Sequence, residues 1–434
     1  MRSILMTLIA TLGLLSCNFI NYKPSIQPQI SDLQLTNVQL FHSSSGSLYA
    51  GGTVRNNSDL PLSNIRVEIS VLDENSQALF SGIVRTSPER VAGHSMAIFT
   101  YPLTLVKGNP TQIIAKILEA SENKEKLANV TVNTQKILNN SSGKFYLLGT
   151  FTNNETQPIE LENAAAIGYD NSGLIVAISN QSVNSRYLAS GDTTSFRIEL
   201  DSNNTITLGD VLVQGVKITQ ITPVTISYSA ASNFSFYSDS NGYFHLIGEV
   251  KNTGAEPINI GAISSLFSSD GTLLDVSGYS APFSYVLPGQ TASLDFSDFP
   301  IVSGDPTLAK TVANFSIQTD YGDTRIFPGK ILSPKVIQTE ATINQNQITL
   351  NGSVTNDTGE DLTEVIILAQ LKDQNNKLIG VGSTTLFNLI KRGQSSNFTI
   401  YISASLDLEL NQFSVGYSAQ SISSNTSSGQ PSQP

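Results

Sequence analysis

Apolar and polar residues alternate along much of this chain. In one stretch Ile65, Val67, Ile69 and Val71 are separated by Arg66, Glu68 and Ser70. A period of two with one apolar face predicts a half-buried strand. The same alternation surrounds four glycines, in LYAGGTVRN (48–56), FYLLGTFTN (145–153), FHLIGEVKN (244–252) and ITLNGSVTN (348–356). The positions four and two before the glycine, and two after it, are apolar each time, for example Phe145, Leu147 and Phe151. Their neighbours, such as Thr53, Thr150, Glu249 and Ser353, are more polar and are expected to face outward. Polar turns separate the predicted strands at short intervals, which points to an antiparallel β-sandwich. The best helical stretch is Thr111–Glu122, and it is weak.

These segments are copies of one unit. Gly52, Gly149, Gly248 and Gly352 lie 97, 99 and 104 residues apart, and each is followed four residues later by Asn56, Asn153, Asn252 or Asn356. The register continues through Leu62, Ile159, Ile258 and Leu362, then through Asp73, Asp170, Asp270 and Asp373, each opening a polar turn. It ends with Gly93, Gly191, Gly289 and Gly393, followed five residues on by Ile98, Phe196, Leu294 and Phe398. The first glycine is expected on the inward face, where a missing side chain lets a bulky neighbour approach. The asparagine is expected to end the strand.

The predicted fold class is therefore all-β, with four tandem immunoglobulin-like antiparallel sandwiches. They are placed at 29–123, 124–220, 221–331 and 332–421, after a leader at 1–16 and a tether at 17–28, and before a polar tail at 422–434. The third copy carries Phe244, Leu246, Gly248, Val250, Asn252, Pro257, Asp270, Gly271, Pro288, Gly289 and Gln290. This pattern resembles the FxLYD-type domains of bacterial exported proteins. The resemblance implies an immunoglobulin-like sandwich, often borne by lipoproteins, and supplies framework residues but no catalytic set. Immunoglobulin domains proper are disfavoured, because their Cys…Trp…Cys core is absent from a chain with one cysteine and no tryptophan.

Arg2 precedes an apolar run, Ile4–Leu15, that is short of the ~20 residues a membrane helix needs. Leu14-Leu15-Ser16-Cys17 follows and resembles the lipobox of bacterial lipoproteins. The resemblance implies cleavage after Ser16 and acylation of Cys17 on its thiol and its new amino group. Several buried acyl chains anchor firmly where one is marginal. The expected partner is thus a membrane, reached through the N-terminal lipid, with the domains exposed on its outer side in a bacterial envelope.

Composition narrows the function classes. The lone cysteine excludes a disulfide within the chain and a zinc site of several thiolates. A net charge of 24 − 35 = −11 argues against nucleic acid as a partner. His42, His94 and His245 are isolated and read as surface residues. The repeated aspartates read as turn formers; Asp295/Asp298 and Asp320/Asp323 come nearest to a calcium pattern. Tyr49, Tyr146, Tyr243, Tyr279 and Tyr285 are the side chains that would stack a sugar in place of tryptophan, but packing roles are expected. No catalytic residue, metal site or cofactor is assigned, and the chain is not expected to be an enzyme. The expectation is a lipid-anchored binding, spacer or scaffold module meeting a protein or glycan partner. The alternative is a carbohydrate- or peptide-binding surface lipoprotein, or an accessory subunit of an exported enzyme or envelope complex. Stacked domains of ~35–40 Å would project surfaces outward by roughly 100 Å or more.

Overall fold

A computed structural model describes residues 30–139, 144–183, 187–217, 226–228, 234–239, 241–255, 257, 261–280, 285–319, 331–344, 347–403 and 413–422. The chain folds into four immunoglobulin-like sandwiches of antiparallel sheets. In each, the glycine strand is the middle of a first sheet. It lies between Leu33–His42 and Met96–Pro102 in the first sandwich, and between Val130–Asn139 and Thr193–Leu200 in the second. In the fourth it lies between Lys335–Asn344 and Ser395–Ser403. In the third it pairs with Ile226–Tyr228, Ser235–Ser238 and Thr291–Phe296. The opposing sheet is a hairpin plus a last strand, as in Leu62–Leu72, Ala78–Arg85 and Gln112–Glu122. Gln112–Glu122 is thus a strand and not the weak helix expected for that stretch. Its Ile113, Ala115 and Ile117 sit opposite Val71, Ile69 and Val67, so a period of two prevails. Two short helices, Pro300–Gly304 and Pro306–Ala309, interrupt the third sandwich.

The four asparagines are fully buried. Asn56 donates through Nδ2 to the carbonyls of Leu60 (2.8 Å) and Ala92 (3.1 Å), and its Oδ1 accepts from Ser58 N (3.1 Å). Asn153 repeats this with Gln157, Ala189 and Glu155, and Asn356 with Glu360, Ile390 and Thr358. Asn252 binds the Val286 carbonyl and Gly254 N, both at 2.8 Å. One side chain so ties the end of the glycine strand to two loops. The amide supplies two N–H donors and a separate carbonyl acceptor, enough to reach both loops at once.

Each glycine lies beneath an aromatic ring. A Cβ on Gly52 would stand 2.9 Å from Phe99 Cζ, and one on Gly149 2.6 Å from Phe196 Cζ; Phe398 overlies Gly352. In the third copy the paired residue is Leu294, and Phe234 fills the space instead. This corrects the alignment of the first copy by one residue. Gly52 pairs with Phe99, whereas Ile98 faces outward into another cluster. The turn position held by Gly191, Gly289 and Gly393 (φ 76–77°) is taken by His94 (φ 62°), not Gly93. Gly93 is small for another reason: a Cβ there would lie 2.7 Å from Asp59 O.

The sandwiches are stacked face to face. Along Phe145–Asn153, Leu147 and Phe151 enter the sandwich's own core, while Tyr146 and Leu148 pack on Ile263, Leu273 and Val276 of the next. Ile98 likewise meets Ala165, Ile167 and Ile175, and Ile247 meets Leu368, Leu378 and Val381. Sheets packed this way lie about 10 Å apart, so each sandwich adds about 20 Å to the stack. The stack is therefore shorter than the ~100 Å or more expected from domain length. The reason is that these strands are apolar on both faces.

Candidate functional site

The outward faces carry the distinctive chemistry. At the second junction Arg197 of the second sandwich donates to Asp275 of the third (3.2 Å), to the Asp298 carbonyl (2.7 Å) and to the Asp298 carboxylate. Asp275 also accepts from Val276 N, Ile301 N and Val302 N at 2.8–3.1 Å. Burial pushes the Asp275 carboxyl's pKa up, with Arg197 and the backbone donors pulling it down. The Arg197 guanidinium lies 6.0 Å from the centroid of the Tyr146 ring.

At the third junction Glu249 receives Lys372 (3.1 Å) and Gln370 (3.2 Å) from the fourth sandwich. Ser235 Oγ donates to Leu378 O and Tyr237 OH to Ser403 O, both at 2.8 Å. Gln420 Nε2 donates to Tyr285 O (2.7 Å).

The first junction opens at one side into a cleft of about 1240 Å³. Arg90 stands in it between Glu162 of the second sandwich and Glu125 (2.6 Å). Lys217 pairs with Glu155 at 2.6 Å, which holds that carboxyl below its usual range. Burial raises the Glu162 carboxyl despite Arg90. Gln157, Asn163, Asn180 and Ser182 supply amides and a hydroxyl to the wall. Among the described residues the lining is largely charged and hydrogen-bonding and holds no aromatic ring, so it suits a polar ligand such as an extended peptide.

Beyond the third junction, among the described residues no sheet covers the outer face of Gln347–Thr355. Its outward residues are Thr349, Asn351, Ser353 and Thr355, where the second copy has Tyr146 and Leu148. They bond within their own sheet, Thr399 Oγ1 to Asn351 Oδ1 at 2.8 Å and Thr355 to Ser395 at 2.8 Å.

The residues singled out from sequence are distributed as follows. Cys17 and Ser16, with the leader, tether and tail, lie outside the described residues, as do Asp320 and Asp323. Gly52, Gly149, Gly248, Gly352 and their asparagines are spent inside the cores and reach no cleft. Asp73, Asp170, Asp270 and Asp373 each accept a backbone N–H two residues on, a local turn. Asp295 and Asp298 bind His245 and Arg197 and so do not converge on one point. Tyr146 is buried in the second junction, Tyr49 stacks on Phe41, and Tyr243 is 57 % exposed. His245 is 6 % exposed, against the surface placement expected for the histidines. Its neighbours on adjacent strands bury it. The junction residues were missed, although FYLLG and FHLIG, apolar on both faces, announced them.

No helix of the described residues is long and apolar enough to cross a membrane. Comparison with known proteins finds no matching family profile and no matching curated sequence. Among solved structures, the native conformation of E. coli alpha-2-macroglobulin is similar at 9 % identity, over 89 % of this chain and 29 % of that one. The chain spans under a third of that protein, and the TM-score is 0.12, too low to bear on fold or function.

Proposed function

We propose that this chain is a non-catalytic, lipid-anchored envelope protein of the FxLYD-type lipoprotein class, serving as a rigid scaffold on the outer side of a membrane. The observation that carries the scaffold role is that every junction has its own apolar cluster and polar ties across it. Inter-domain contacts of this kind oppose hinge motion, whereas small polar ones permit it. The lipobox-like Leu14–Cys17 supports the anchor, and the paired glycine and asparagine framework supports the family reading. Cys17→Ser should move the protein from the membrane to the soluble fraction and shift the mass by the lost acyl groups. Unchanged attachment would remove the anchor from the proposal. Small-angle scattering should report one stiff particle, and a distribution of hinged shapes would remove the scaffold.

A second reading, a peptide- or glycan-binding module, is favoured by the polar cleft at the first junction. Its test is a peptide and glycan array, read for wild type and for Glu162→Gln. Binding that persists unchanged in the variant would place the ligand elsewhere.

A further inference from the structure

His245 lies on the outward face of Phe244–Asn252, beside the third junction. Its Nδ1 is 3.0 Å from Asp295 Oδ1. Its Nε2 is 3.5 Å from Asp239 Oδ2, a charge contact that leaves this buried nitrogen without a hydrogen bond. The ring stacks on Tyr237, centroids 5.0 Å apart and planes 10° from parallel. Tyr237 packs against the junction's cluster of Ile247, Leu368, Leu378 and Val381, and its hydroxyl reaches across to Ser403 O. The imidazole so sits between two carboxylates on one side and the side chain that grips the fourth sandwich on the other.

We propose that the contact between the third and fourth sandwiches is a pH-sensitive joint, held firm while His245 carries a proton between Asp295 and Asp239 and loosened when that proton leaves. As imidazolium the ring can donate from both nitrogens and neutralises two acids, one on the flanking strand Thr291–Phe296 and one at the turn after Ser235–Ser238. As neutral imidazole it satisfies one of them. Asp239 then keeps only its backbone donors, Asn241 N and Tyr243 N at 2.9 Å, and loses the cation beside the Tyr237 ring. The remaining charges at the junction do not replace the proton. Glu249, four residues along the same strand, is engaged by Lys372 of the fourth sandwich. The Tyr237 hydroxyl stays protonated, because burial raises its pKa far above any physiological pH.

Burial by itself would lower the imidazole's pKa; the hydrogen bond and charge of Asp295, aided by Asp239, overcome it and raise the value. A raised value in a base means stabilisation that is complete below the ordinary ~6.5 and fades as pH climbs through the folded value. The joint should therefore loosen as pH rises above the ordinary value and through the raised folded one. This inference does not depend on the anchor or on the scaffold reading.

The test uses the full chain in detergent, labelled with 13C at histidine. The chain has three histidines, so three imidazole signals are expected, and His245→Gln identifies one by its loss. That signal should titrate above the ordinary histidine value, and lower when Asp295→Asn is introduced. Hydrogen exchange over 235–239 and 378–386 should lose protection across the same pH range, about tenfold for each pH unit between the folded and free values. His245→Gln should abolish this pH dependence while leaving the junction between the second and third sandwiches unchanged. A normal or lowered titration, or a pH response that survives in His245→Gln, overturns the joint. If His245→Gln does not fold, the Asp295→Asn titration and its exchange profile decide alone.

Discussion

Arg197 and Asp275 belong to different sandwiches yet meet 3.2 Å apart, the arginine side chain 14 % exposed and the carboxylate 0 %. Arg197→Ala leaves a buried carboxylate without its cation, which costs about 3–5 kcal/mol. Asp275→Asn keeps an acceptor for the Ile301 and Val302 amides, and Arg197 keeps Asp298, so its cost is smaller. The double variant should be more stable than Arg197→Ala alone, because the stranded charge is gone. Calorimetry of the three proteins checks this ordering; strict additivity would mean the pair is not coupled.

Asn356 binds Glu360 O and Ile390 O through one amide nitrogen. Asn356→Asp replaces that donor with an acceptor and faces a carboxylate with two carbonyls. A loss of about 1–3 kcal/mol is expected, read as a lower urea midpoint. An unchanged midpoint would show that the clamp adds nothing to the hydrogen bonds of the strand.

Gly352→Ala places a methyl against Phe398 and 2.6 Å from Ile337 O. Overpacking of this kind costs about 1–3 kcal/mol. Adding Phe398→Leu, the residue type paired with Gly248 in the third sandwich, should recover part of that loss. The thermal midpoints of single and double variants decide it, and a double variant less stable than both singles would refute the steric account.

His94 holds a left-handed backbone (φ 62°) at a turn where the other copies have glycine. Its contact with Asp59 is solvent-exposed, 63 % and 95 %, and contributes little. His94→Gly should raise stability by about 0.5–1 kcal/mol, since glycine adopts this conformation without a Cβ penalty. A decrease in thermal midpoint would contradict this.

Asp270 accepts from the Ser268 hydroxyl and from Thr272 N (3.1 Å), which lowers its carboxyl to about 2. A lowered acid stabilises the fold above the ordinary ~3.9 and loses that effect as pH falls through the folded value. Ser268→Ala should move the carboxyl titration upward, as followed by NMR. A midpoint that does not respond would assign the shift to the backbone alone.

The architecture was readable because the repeat reports it four times. Glycine, asparagine and aspartate recur wherever the backbone needs close approach, an amide clamp or a tight turn. The one-residue slip at Ile98 arose because the first copy places His94 where the others place glycine, so the eye lands on Gly93. Helical period in Thr111–Glu122 lost to pairing with Leu62–Leu72, which only tertiary structure supplies. The junctions were half visible. Tyr146, Leu148 and Ile247 break the alternation that a strand facing water should show, and two-sided burial is what such strands signify. What they face, and the meeting of Arg197 with Asp275 across 78 residues of sequence, depends on the order of stacking. No local pattern encodes that order.

The outer faces also act as addresses. The second unit offers Tyr146, Leu148 and Arg197 to a neighbour that answers with Ile263 and Asp275, and the third offers Ile247 and Glu249 to one bearing Leu368 and Lys372. Along Gln347–Thr355 the fourth offers hydroxyls and an amide in place of these aliphatic side chains. The units share one interior and differ in what they will bind, so they cannot be shuffled. A chimera exchanging the second and fourth would keep every core and lose its assembly, with bare aliphatic sheets exposed in the middle of the chain. A shared repeat pattern gives these domains their fold, and differences at a few outward positions give them their order of assembly.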